Sequence, residues 1–318
     1  MKKLIVVIGI LLIAIAAAGF WWSNGLSPVS IDKTPTIFTV NKGEGVREIA
    51  NRLKSQGIIR DPIVFFLLTR IQGLDKQIQA GDFRINPSMT SQEVANSLTH
   101  GTLDIWITIP EGQRADEIAD LLKNKIPSYN ESWRAILNQN EGYLFPDTYL
   151  IPRGATISLV ISLLRNNFDT KFASIKNLKT TNISDSDSIK IASIIEREAI
   201  FSTDRPLVAS VILNRLGIGM PLGNDPTIQY AVGYDPTTKS WWKKDLTVDD
   251  LAINSPYNTR IVTGLPPTPI SNPGESAIKA ALSPAKTDYL YFYSDKQGHL
   301  HFATTLAGHQ ANIKKYAN

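Results

Sequence analysis

The sequence predicts a mixed α+β protein: an apolar helix at the amino end, a small domain of strand–turn–helix units, and a larger mixed domain built around a buried helix. Residues 4–22 form an apolar run without a charge. A strand–turn–helix pattern recurs along the first 125 residues, the mark of an internal repeat. Residues 189–200 are rich in isoleucine and alternate poorly, and they run too long for an ordinary strand, so they read as a helix buried in a core.

A chain of 318 residues has room for two domains with cores of their own. With 43% hydrophobic and 19% charged residues it has the balance of a globular protein rather than a disordered one. A net charge of +4 suits an anionic membrane surface or an anionic polymer, and is equally compatible with no functional meaning. The absence of cysteine excludes disulfides, thiol nucleophiles and cysteine metal sites, and leaves the compartment open.

Met1-Lys2-Lys3 precedes the apolar run, whose length is close to the roughly 20 residues a helix needs to span a bilayer. Lys2 and Lys3 place the amino end in the cytoplasm by the positive-inside rule, and Trp21 and Trp22 fall where an interfacial aromatic belt lies. Ala16-Ala17-Ala18 also suits a signal-peptide cleavage site, but the long apolar run followed directly by the tryptophan pair favours an uncleaved, single-pass anchor. The expected organisation is an anchor over 1–23, a Ser/Pro/Gly-bearing tether over 24–36, a small domain over 37–105 and a larger domain over 106–318, with everything beyond residue 23 outside the cytoplasm.

In the small domain, residues 39–54 align with residues 108–123 of the next, and residues 83–98 form a weaker copy. Each reads as a short strand, a Gly or Pro turn and an amphipathic helix, with Val46, Ile49, Ala50 and Leu53 at helical spacing. The first copy resembles the opening half of a LysM module, a small fold that binds N-acetyl sugars of cell walls; a generic packing unit fits the same residues. Asp61-Pro62 opens a helix over 61–71, with Asp as cap and Pro in the first turn.

Further on, residues 141–149 read as an aromatic loop suited to a sugar face or to interface packing, and 155–177 as a helix. On a wheel at about 100° per residue, Glu196 falls among Ala192, Ala199, Ile189 and Ile200, whereas Lys190 and Arg197 share another sector. A carboxyl on such a face loses hydration and its pKa rises, which suits general-acid work. A structural glutamate paired with an arginine gives the same pattern, and Glu198, between Ile191 and Ile194, is not excluded by the wheel. A capped helix over 207–216 follows, stopped by Gly217, then Gly- and Pro-dense loops over 219–230, 255–259 and 264–274, a short helix over 275–282, and a hairpin with strands over 289–294 and 299–303. His299 and His301 share a strand face without a third ligand at metal-binding spacing.

The ordered set Ala192-Ser-Ile-Ile-Glu-Arg-Glu198, Val211-Ile-Leu-Asn-Arg-Leu216, Asn224-Asp-Pro-Thr227, Tyr257-Asn-Thr259, Gly264-Leu-Pro-Pro267 and Tyr289-Leu-Tyr-Phe292 resembles the YceG-like family of membrane-anchored endolytic murein transglycosylases, from the anchor to the carboxyl end. The resemblance implies one catalytic acid, Glu196, and a cleft lined by Asp225, Thr227, Tyr257 and Asn258, with Asp225 as the residue to suspect if a second carboxylate matters. It implies cleavage of the β-1,4 bond between N-acetylmuramic acid and N-acetylglucosamine in nascent strands, closing to a 1,6-anhydro end without water. It implies no cofactor and no metal. The implied partners are peptidoglycan glycan strands, the bacterial cytoplasmic membrane and peptidoglycan synthases, with no nucleic acid. A hydrolytic muramidase on the same fold and a non-catalytic wall-binding scaffold are the alternatives. A serine protease is disfavoured, because none of His100, His299, His301 and His309 sits in a telling motif.

Overall fold

The apolar run forms a single long helix, α1 (Lys2–Leu26), which over Val7–Leu26 is long and apolar enough to cross a membrane. The computed structural model describes residues 2–99 and 104–317. Met1, residues 100–103 and Asn318, with the sequence-noted His100 among them, lie outside the described residues. The chain divides into two units, Met1–Ile105 and Trp106–Asn318.

In the first unit, α1 is followed by β1 (Thr36–Val40), α2 (Val46–Ser55), α3 (Pro62–Ile71), β2 (Gly81–Ile85) and α4 (Ser91–Thr99). β1 and β2 pair antiparallel with Phe38 opposite Phe83, so two rings enter the core from one face of the ribbon. Helices α2 and α4 bring Ile49, Leu53, Val94 and Leu98 against them at helical spacing. Asp61 caps α3 as the sequence indicates, accepting from the amides of Ile63 and Val64, with Pro62 in the first turn.

The first part of the stretch 24–36 is tied to the small unit. Helix α1 runs on to Leu26, and Trp22 and Leu26 pack against the core of the small unit. The Ser91 hydroxyl donates to the Gly25 carbonyl at 3.0 Å, and the amides of Val29 and Ser30 donate to the Pro87 carbonyl. Gly25 lets α1 and α3 touch: a Cβ there would lie 2.6 Å from Cγ2 of Val64. Burial of apolar side chains on both sides of the joint outweighs the loop-like composition of the segment.

The chain crosses from the first unit to the second within β3 (Asp104–Thr108), which pairs with β4 (Thr148–Pro152). Between them lie α5 (Ala115–Lys125) and α6 (Trp133–Asn138). The next helix, α7 (Ile157–Ile175), ends in a short 3-10 turn, and α8 (Asp185–Glu198), α9 (Arg205–Gly217), α10 (Asp225–Val232), α11 (Val248–Leu251) and α12 (Glu275–Leu282) follow. A hairpin of β5 (Tyr291–Ser294) and β6 (Leu300–Ala303) and the final α13 (Leu306–Tyr316) complete the unit. Helix α8 packs against α9, α10 and α12, and Ile189, Ile191, Ala192, Ile194 and Ile195 are all buried.

Several local readings need correction. The central helix starts before residue 189, capped by the Ser184 hydroxyl on the Asp187 amide, and ends at Glu198 rather than at Ile200. The Gly- and Pro-dense stretch 219–230 is not all loop: Pro226 sits in the first turn of α10, where its missing N–H costs nothing. The aromatic stretch 141–149 is scaffold rather than an open sugar face, since Glu141, Leu144, Phe145 and Tyr149 are buried. His301 bonds Asp295 at 2.9 Å and stacks on Tyr316, whereas His299 stacks on Phe201.

Replacing Gly25 by alanine should lower the stability of the small unit by about 1–3 kcal/mol, the usual cost of overpacking. Adding Val64→Ala in the same chain should restore part of it. Hydrogen exchange of the β1–β2 amides in the detergent-solubilised protein reads both changes.

Candidate active site

Helix α8 ends in Glu196-Arg197-Glu198. At about 100° per residue the two glutamates point to nearly opposite sides of the helix, and the tertiary structure gives them different surroundings.

Glu196 faces α9 and the loop before α12. Its Oε1 accepts from the Arg205 guanidinium at 2.7 Å and its Oε2 from the Gly274 amide at 2.9 Å. Both side chains of the pair are under a tenth exposed. Arg205 also lies 4.0 Å from Glu111, and Gly112 packs so closely that a Cβ there would sit 3.3 Å from Cγ of Glu196. Burial pushes the Glu196 carboxyl above the ordinary range, against the pull of Arg205 and the Gly274 amide. The proline-rich loop over 264–274 that supplies this amide is itself strapped to α8: the Ile270 amide donates to the Ser193 hydroxyl and the Ser271 hydroxyl to the Ser193 carbonyl. Asn272 extends the strap, accepting from the amides of Gly142 and Leu144 and donating to Glu141. Burial pushes Glu141 up to about 8.

Glu198 is half-buried and opens onto a cavity of about 580 Å³, lined also by Arg215, Asn224, Asp225, Arg260 and Tyr291. It has no lysine or arginine within ion-pair distance among the described residues, and its Oε1 accepts from the Asn224 side-chain amide at 2.7 Å. Burial pushes its carboxyl up to about 7; the Asn224 hydrogen bond pulls down and the Asp225 charge pushes up. A carboxyl with this pKa is substantially protonated near neutral pH and can return to the same site as a base.

The other sequence-predicted residues separate. Asp225 reaches the cavity, bonded to Arg260 at 2.7 Å, with both side chains about half exposed. Thr227 and Asn258 are fully buried and cannot line the cleft. They position what does: the Thr227 hydroxyl donates to the Asn224 carbonyl and pairs with the Thr259 hydroxyl, which accepts from the Asn224 amide. Asn258 donates to the carbonyls of Leu251 and Ile253 and accepts from the Arg260 amide. Tyr257 is not among the cavity-lining residues; its ring packs on Tyr230 and its hydroxyl bonds Thr268. Asn224 and Arg215 were missed as cleft residues, although both lie in motifs that the sequence singles out. Arg215 is a wall, donating to the carbonyls of Leu290 and Leu222.

With this geometry in place, the comparisons with known proteins are direct. The model of the YceG-like family matches residues 38–315. The chain belongs to the YceG-like family. A Bacillus subtilis (strain 168) relative named endolytic murein transglycosylase is 32% identical, over 95% of this chain and 91% of its own. A relative of the same name from Streptococcus pneumoniae serotype 2 is 26% identical, over 99% of this chain and 66% of its own. A crystal structure of a YceG-like protein from Listeria monocytogenes superposes with a TM-score of 0.60 at 28% identity, covering 88% of this chain and 99% of the other.

The two glutamates of this YceG-like chain should respond differently to loss of charge. Arg205→Met strands Glu196 in a buried site and should cost about 3–5 kcal/mol, the usual penalty for removing one partner of a buried pair. Glu196→Gln should also lower the melting temperature, whereas Glu198→Gln, at a site without a cation partner, should leave it nearly unchanged. Thermal unfolding of the three variants beside the wild type measures this.

Proposed function

We propose that this protein is a peptidoglycan lytic transglycosylase cleaving within glycan strands, and that Glu198 is the carboxyl that moves the proton. The observation that carries the reading is the position of Glu198: a carboxyl pushed up to about 7, open to the 580 Å³ cavity and held by an amide rather than a cation. The names of the relatives, and the 91% of the Bacillus subtilis relative's length that this chain covers, support the reaction class. Protonated Glu198 donates to the glycosidic oxygen between N-acetylmuramic acid and N-acetylglucosamine as oxocarbenium character develops. Its conjugate base then takes the proton of the muramoyl 6-hydroxyl, which closes on C1 to give a 1,6-anhydro end. The internal hydroxyl is the nucleophile, so one carboxyl switching roles suffices where a hydrolase needs two.

Glu196, which the family resemblance singles out, is the second reading for the acid; its burial and raised pKa favour it, and its bond to Arg205 opposes it. Asp225 at the same cavity favours hydrolysis as the second reading of the reaction, because it supplies another carboxylate. In our reading α1 is a single-pass anchor in the bacterial cytoplasmic membrane with its amino end inside. Residues 24–36 join it to the small domain. Residues 37–105, with two helices between two antiparallel strands, form a LysM-like module that holds the strand; residues 106–318 cut it. Enzymes that polymerise the same strand are the natural partners.

Mass spectrometry of purified peptidoglycan digested by the detergent-solubilised full chain tests this. Wild type should give anhydro-muramoyl ends and Glu198→Gln should lose at least about a hundredfold, the lower range for general acid catalysis. Anhydro ends from Glu198→Gln but not from Glu196→Gln would reassign the acid. Reducing ends would make the enzyme a hydrolase, and sugar binding without products would make it a scaffold.

The pH profile supplies an independent check. The acid works while protonated, so kcat/KM should fall as pH rises through about 7. Asp225→Asn removes a charge that raises the pKa and should move this limb to lower pH. Asn224→Ala removes a bond that lowers it and should move the limb to higher pH.

A further inference from the structure

The joint between α1 and the small unit fixes which surface of that unit meets lipid. Residues 4–22 span about 28 Å as a helix, close to the thickness of a bilayer's hydrocarbon core, which leaves Trp21 and Trp22 at its edge. The indole of Trp21 donates to Asp61 at 2.9 Å, and Gly25 touches Val64. These contacts run in the same order along both helices, so α3 starts at the level of the tryptophan pair and leads away from the span. Ile63, in the first turn of α3, therefore stands at the membrane edge, and it is 59% exposed. It lines a cavity of about 360 Å³ with Pro62, Phe66, Asn51 and Arg47.

One cation lines this apolar spot and a second lies near the cap of α3. Arg47 lies 4.8 Å from the centre of the Phe66 ring and has no carboxylate partner among the described residues. Against its partial burial, the Asp61 carboxyl is held below its ordinary range by the hydrogen bonds it accepts from Val64, Trp21 and Ile63, with a smaller contribution from the nearby Lys54 charge. An exposed isoleucine beside a half-buried phenylalanine, with Arg47 over the ring and Lys54 near the cap, has the composition of an interfacial lipid contact: apolar groups at the acyl boundary and cations at the phosphates.

We propose that the start of α3 is a lipid-binding seat, with Ile63 inserted at the headgroup boundary and Arg47 and Lys54 facing phospholipid phosphates. The inference rests on the reading of α1 as a membrane span. The small unit is then clamped to the bilayer surface at two places, the end of the span and the start of α3, and cannot swivel about the anchor.

The natural chain has no cysteine, so single spin labels can be placed directly. Full-length Ile13→Cys, Ile63→Cys and Ile71→Cys proteins in nanodiscs containing anionic phospholipid are labelled and their collision accessibility to oxygen and to a water-soluble nickel complex compared. Ile71 ends the same helix, about 12 Å further from its start, and is likewise exposed. The label at residue 13 should be deep, that at residue 63 should show an oxygen-to-nickel ratio several-fold above that at residue 71, and Lys54→Glu with Arg47→Glu should lower the ratio at residue 63. A deep label at 13 with equal ratios at 63 and 71 overturns the seat while leaving the span intact. A water-exposed label at 13 overturns the span, and the seat with it.

Discussion

The buried ion pair between Glu196 and Arg205 is the constraint on which the larger unit turns. It joins the end of α8 to the first residue of α9, and through the Gly274 amide to the loop that leads into α12. The same loop returns to α8 at Ser193 and reaches Glu141 through Asn272. A pair of this kind yields little net stability over an apolar replacement, but leaving either charge alone is costly, so it fixes which segments meet.

That arrangement also gives different surroundings to two carboxyls two residues apart. Glu196 takes Arg205 as its ion-pair partner, whereas Glu198 on the opposite side of the helix accepts from an amide and feels the opposing charges of Asp225 and of Arg215 and Arg197 at longer range. Burial raises both carboxyls, and Glu198 faces a cavity. The side of α8 that holds the core together and the side that opens to the cleft are set by the same turn of helix.

In the small unit the organising fact is close helix contact at a glycine. Gly25 against Val64, with Trp22 and Leu26 in the core, makes the end of α1 part of the domain rather than a leash to it. A cut near Ser23, the natural choice from sequence, would remove Trp22 from that core.

Much of the fold was legible in local chemistry. The Asp61-Pro62 cap, the helix over 275–282, the hairpin around residues 295–298 and the apolar face of α8 follow from side-chain type and spacing. So did the identity of the motifs that build the cleft, because Asn224, Asp225 and Arg215 lie inside them. What the sequence left open was decided by residues distant along the chain. The wheel places both Glu196 and Glu198 among apolar neighbours, and only the arrival of Arg205 on one side and Asn224 on the other separates them. Thr227 and Asn258 look like cleft residues because polar side chains in loops often are, yet packing buries both to hold Asn224 and the Arg260 backbone. Spacing along the chain determines which groups share a face, whereas the environment that sets a carboxyl's charge comes from whatever packs against that face.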